Sequence, residues 1–82
     1  MTHKVEIRIR EGLLERLRMN SGIKNDEAFA AAIGTSRATL FAVREERREP
    51  SLAFAVGVAR AFGLGLSEVV EWKEVETESV AA

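Results

Sequence analysis

Four arginines fall within residues 37–48, at Arg37, Arg44, Arg47 and Arg48, with Glu45 and Glu46 between them. Ser36 and Thr39 add two hydroxyls at the front of the same stretch, GTSRATLFAVR. These groups donate hydrogen bonds and carry positive charge, and none is a nucleophile with a base beside it. Candidates for catalysis elsewhere are few. The single histidine, His3, lies near the N-terminus in chain expected to be loose, and there is no cysteine. The run Gly63-Leu64-Gly65 is too short and too apolar for a phosphate loop. No enzyme chemistry, metal or cofactor is implied.

The elements that must hold these groups can be read from caps and periodicity. Ser36 suits an N-cap and Gly34 a tight turn, so a helix is expected over about residues 36–46. Leu40 and Val43 share its buried face. Arg37, Ala38, Phe41, Ala42 and Arg44 point elsewhere. Ahead of it, Glu11 to Asn20 reads as a helix with Leu13, Leu14 and Leu17 inward, stopped by Ser21-Gly22. Asn25 or Asp26 caps a second helix with Phe29, Ala30 and Ile33 inward, ended by Gly34. After the charged loop Arg47-Arg48-Glu49-Pro50, Ser51 caps a fourth helix, Leu52 to Phe62, ended by Gly63. A fifth begins near Gly65 and carries Leu66, Val69 and Val70 to about Trp72.

The two ends alternate with period two. Val5, Ile7 and Ile9 alternate with mostly basic residues, and Val75, Thr77 and Ser79 alternate with glutamates. Residues 4–10 and 72–77 are therefore expected to pair as a short antiparallel ribbon, within one chain or between two, with the tail frayed beyond Thr77. The expected architecture is mainly α: a single domain over residues 1–82, with a five-helix body over about 11–72 and candidate terminal strands.

Eighty-two residues make a small domain that buries about 60% of its unfolded surface. Without cysteine the core rests on aliphatic side chains, alanines and four phenylalanines, a composition that fits a reducing cytosol. The longest apolar run, Leu52 to Ala59, is far short of the roughly 18 residues that span a membrane. The formal net charge is −1, but residues 1–70 carry +2 and residues 71–82 carry −3. That split keeps an anionic partner in view for the body.

The turn at Gly34-Thr35 is so short that the helices on either side must cross steeply, as in a helix-turn-helix. Over about residues 11–70 the chain resembles the phage repressor and Cro-like DNA-binding domains of the XRE family. The resemblance rests on FAAAIGTSRATLFAVREERREPS followed by LAFAVGVARAFGLGLSEVV. It implies a transcriptional regulator of phage or bacterial type, cytoplasmic, that binds a two-fold symmetric double-stranded DNA site as a homodimer. The third helix would lie in the major groove, with Arg37 donating to guanine and Ala38, Phe41 and Ala42 touching thymine methyls. Ser36, Thr39, Arg44, Arg47 and Arg48 would meet phosphate.

Bland readings stand beside these. Phe41 can fold back onto the body, Arg44 can pair with a glutamate of its own helix, and Arg44 to Glu49 can be a solvated loop. Phe54, Gly57 and Ala61 recur on one helix face, as extra core or as a subunit interface. The chain departs from the family pattern at Asp26, where glutamine is common, at Glu46, where glycine is common, and at Phe54 and Gly57, where polar residues are usual. The rival function is a protein-interaction module, such as an antitoxin whose acidic tail, Glu71 to Glu78, holds a protein partner.

Overall fold

The computed structural model describes residues 2–77. It runs β1 (Thr2–Ile9), α1 (Leu13–Ser21), α2 (Asp26–Ile33), α3 (Arg37–Arg44), α4 (Leu52–Phe62), α5 (Leu66–Val69) and β2 (Val70–Thr77). Three helix starts follow from one piece of chemistry. Asn25 Oδ1 accepts the amide of Ala28 at 2.8 Å, Ser36 Oγ that of Thr39 at 3.0 Å, and Ser51 Oγ that of Phe54 at 3.0 Å. Each satisfies an amide that the first helical turn leaves without a partner.

The core gathers one face from every element. Phe29 of α2, Leu40 of α3, Val58 of α4 and Val69 of α5 are its most buried side chains. Leu13 and Leu14 of α1 and Ile9 of β1 complete it, and Phe62 packs its ring 5.8 Å from that of Phe29. Helices α2 and α4 approach closely at Gly57. A Cβ at Gly57 would sit on the carbonyl oxygen of Ile33, so only glycine admits this contact. Phe54 is 3% exposed and Gly57 is buried, while Ala61 of the same stripe is exposed. Of the two readings of this stripe, Phe54 and Gly57 fit extra core: the small residue serves an approach inside the chain, and only Ala61 remains on the surface.

Strands β1 and β2 pair antiparallel from Thr2↔Thr77 to Ile9↔Val70. The pairing lies within one chain, and His3 sits in β1 opposite Glu76 rather than in loose chain. The fifth helix stops at Val69, before the expected Trp72: the amide of Val70 closes on Leu66 and the backbone then turns extended. Val70 and Trp72 belong to β2, opposite Ile9 and Ile7. The frayed tail expected after Thr77 lies outside the described residues.

Candidate nucleic-acid interface

Helices α2 and α3 are joined by Gly34-Thr35-Ser36. Gly34 takes φ +92°, and its amide and that of Thr35 both close on the carbonyl of Ala30 at 2.9 Å. A left-handed glycine thus ends α2, and Ser36 starts α3 two residues later. The tight turn fixes the crossing, and the core face of Leu40 and Val43 fixes how α3 is rotated. Its outer face follows. Arg37 and Ala38 are exposed, Phe41 is 44% exposed, and Ala42 is half-buried beside them. The amides of Arg37 and Ala38 are first-turn groups with no partner inside the helix. Ser36 Oγ also lies 3.0 Å from Thr39 Oγ1, so the two hydroxyls order each other at the helix start.

The end of α3 is built from backbone. The amide of Arg47 donates to Ala42 at 2.8 Å and that of Glu46 to Val43 at 3.0 Å. This is the double bond pattern of a Schellman turn, and its left-handed position falls on Glu46 with φ +59°. Glycine is the residue favoured there, which gives the departure at Glu46 a structural meaning. The turn brings Arg47 back over the helix, where its guanidinium carbon lies 5.4 Å from the Phe41 ring centre. That is cation–π range. Phe41 stays on the outer face rather than folding into the body, and it positions Arg47 there.

Arg44 is elsewhere. Its side chain is 20% exposed, and Nη1 and Nη2 each donate to an oxygen of Asp26 at 3.2 Å. Arg18 of α1 reaches the same carboxylate at 3.0 Å. Hydrogen bonding from Arg44 holds the Asp26 carboxyl below its usual range, against the opposing effect of burial, with Arg44, Arg18 and Arg37 adding favourable charge. Arg44 is raised in turn, chiefly by that same hydrogen bond. Two expectations change. Arg44 clamps three helices rather than lying on the open face, and its partner is Asp26, not a glutamate of its own helix. Asp26 offers phosphate far less repulsion than its bare charge suggests, because two arginines neutralise it. A pair eighteen residues apart leaves no periodic signal in a sequence.

The loop after α3 is tied to the ribbon. Glu49 accepts the amide of Ile7 at 3.2 Å, and Arg8 lies 4.0 Å from Glu46. Arg8 donates to Glu71 at 2.7 Å, and this bond raises its pKa. Arg10 lies 3.6 Å from the other oxygen of Glu71. A groove of about 920 Å³ runs between ribbon and loop, and these paired charges line it. Arg48 is exposed at its rim. Among the described residues no cluster of histidine, cysteine or carboxylate is arranged to hold a metal ion. No helix there is long and apolar enough to cross a membrane.

Comparison with known families bears on the same two helices and their neighbours. The family described as Helix-turn-helix, HTH_3, matches residues 14–69. The chain belongs to this helix-turn-helix family. The match runs from the second residue of α1 to the end of α5 and leaves both strands of the ribbon outside it. As a member, the protein is a DNA-binding domain of the transcription-regulator type. No curated protein and no solved structure matches the chain.

Proposed function

We propose that this helix-turn-helix protein is a transcriptional regulator of phage or bacterial repressor/Cro type, working in the cytoplasm as a homodimer on a two-fold symmetric operator. The observation that carries the reading is the outer face of α3, where Arg37, Ala38, Phe41 and Ala42 lie together on a helix rigidly held by its core face. In this reading α3 enters the major groove. Arg37, at the helix start, makes paired bonds to guanine O6 and N7. Ala38 and Ala42 allow close approach and meet thymine methyls, with Phe41 beside them. Ser36, Thr39, Arg47, Arg48 and the free amides of the first turn meet phosphate. Arg44 leaves the phosphate set, because its guanidinium is held by Asp26.

The alternative of an antitoxin with an acidic docking tail gains nothing from the ribbon. Glu71 of that tail is paired with Arg8 and Arg10 of the same chain.

Selection of bound duplexes from a random pool tests the reading, and enriched sites with two-fold symmetry are the expected result. On the selected site Arg37→Ala should cost about 1–3 kcal/mol, concentrated at one base pair per half-site. Arg48→Ala should instead weaken all sequences alike and lower the salt slope by about one. Equal loss on selected and random DNA for Arg37→Ala would make Arg37 a phosphate contact and overturn the assignment of the reading face.

A further inference from the structure

We infer that β2 is the seam of the homodimer: two copies join edge to edge through their β2 strands, in the register that sets Trp72 opposite its own copy. This deepens the homodimer reading above and rests on it.

A two-stranded ribbon has two edges, and the hydrogen bonding here distinguishes them. The amide of Arg10 donates to Val69, and that of Ile7 donates to Glu49 rather than to β2. Antiparallel pairs alternate between those that exchange hydrogen bonds and those that do not. With the register fixed, Ile9↔Val70, Ile7↔Trp72, Val5↔Glu74 and His3↔Glu76 are the pairs that do not. Val70, Trp72, Glu74 and Glu76 therefore turn their main-chain groups away from β1. The β1 edge is closed at Ile7 by the Glu49 carboxylate. On the β2 edge the Val70 amide is taken by Leu66. What remains on this edge, among the described residues, is the carbonyl of Val70 and both main-chain groups of Trp72, Glu74 and Glu76.

A second β2 strand running antiparallel about a two-fold axis at Trp72 pairs the part of that set nearest the helical body. The two Trp72 residues exchange amide and carbonyl, and each Glu74 amide meets the Val70 carbonyl of the other copy. The one donor such a ladder would lack, the Val70 amide, is the one already used inside the chain. The Glu74 carbonyl opposite it and the main-chain groups of Glu76 stay open to water.

Charge selects this register over the others that the edge admits. Centred on Trp72, the pairing sets Glu71 of each copy opposite Lys73 of the other. Centred on Glu74, Lys73 or Glu71, it sets a charge opposite its own copy, which is unfavourable. Centred on Val70, it runs into Val69 at the end of α5. Side chains agree too. Val5, Ile7 and Trp72 lie on one face of the ribbon and are 49%, 40% and 65% exposed. The joined sheet aligns Ile7, Trp72 and their two counterparts in one row across four strands. An open edge with an exposed apolar face is otherwise a template for unspecific association.

Sedimentation of the full chain without DNA tests the seam, and Trp72, the only tryptophan, adds a fluorescence readout. Glu74→Pro is the decisive variant. Its ring removes an amide that faces outward, so the intramolecular ladder keeps all its bonds while the seam loses one from each copy. Wild type should sediment as a dimer, with tryptophan emission shifting to the blue as concentration rises. Glu74→Pro should weaken dimerisation on the order of tenfold or more with unchanged circular dichroism. Lys73→Glu and Glu71→Lys should each dimerise poorly alone and pair with one another when mixed. A monomeric wild type would overturn the homodimer reading together with the seam, whereas a Glu74→Pro protein that dimerises as wild type does would overturn the seam alone. Neither result touches the DNA reading, which the duplex selection decides on its own.

Discussion

Glu46 shows how much one residue can carry against its own preference. The Schellman turn after α3 needs a left-handed residue, and Glu46 supplies it at φ +59°. The left-handed conformation costs a residue with a Cβ about 1–2 kcal/mol. The turn persists because the amides of Glu46 and Arg47 both close on α3, and because Glu49 and Arg8 hold the loop against the ribbon. Glu46→Gly should therefore stabilise the fold, by up to ~1 kcal/mol once the greater freedom of glycine in the unfolded chain is subtracted. The lost Arg8–Glu46 contact subtracts little, being long and exposed. A higher urea midpoint with an unchanged slope is the expected result. A lower midpoint would mean that the glutamate side chain, not the backbone turn, holds the loop. The identity of this residue was legible in the sequence as a departure from a family pattern. Its conformation was not, because a left-handed glutamate has no signature of its own.

At the scale of elements, caps and core faces were legible, and contacts that join distant segments were not. Asn25, Ser36 and Ser51 start their helices because a short polar side chain reaches its own backbone, which is a local event. The extent of α5 was misjudged because Val70 and Trp72 continue an apolar helical pattern. Pairing with Ile9 and Ile7 takes them into a strand instead, a long-range preference that outweighs local period. The role of Gly57 was ambiguous for the same reason. The geometry now gives it a sign: Gly57→Ala gains up to ~1 kcal/mol of helix propensity, yet its methyl would strike the carbonyl of Ile33. Overpacking of a close backbone contact costs about 1–3 kcal/mol, so the variant should be less stable by ~1 kcal/mol or more, read as a lower urea midpoint.

The Asp26 clamp joins α1, α2 and α3, and it predicts a pH dependence. The folded carboxyl has a depressed pKa, so its contribution is fully present above the usual aspartate range and is lost as pH falls through the folded value. Asp26→Asn should be less stable than wild type at about pH 7. The gap should narrow toward about pH 3, because acid neutralises the wild-type carboxylate as well. Urea midpoints at both pH values check this. A gap of equal size at both would show that packing of the side chain, not its charge, links the helices.

The whole molecule is elongated, 51 × 24 × 19 Å, with the ribbon set beside the helical body. Its charge is divided along the chain as well, with the basic residues near α3 and the acidic ones concentrated after Val70. A single module of this size buries little DNA surface, so in the proposed reading affinity depends on joining two of them. Joining converts the second half-site encounter into an intramolecular one, an advantage of about 10²–10⁴ when the geometry permits both at once. Two α3 helices must then lie about 34 Å apart, one turn of the duplex. The seam at Trp72 and the reading face of α3 should thus be separable by one comparison. Wild type should bind a duplex with both half-sites about a hundredfold or more tighter than a duplex with one. Glu74→Pro leaves α3 untouched, so its affinity for the single half-site should match wild type while its advantage on the full site disappears. Anisotropy titrations of both duplexes at one fixed salt concentration give the four constants needed, since phosphate contacts make each constant salt-dependent. If Glu74→Pro kept the full-site advantage, the copies would be joined through another surface. The exposed side of α4, with Leu52 at 72% and Val56 at 42% exposure, would be the next to test.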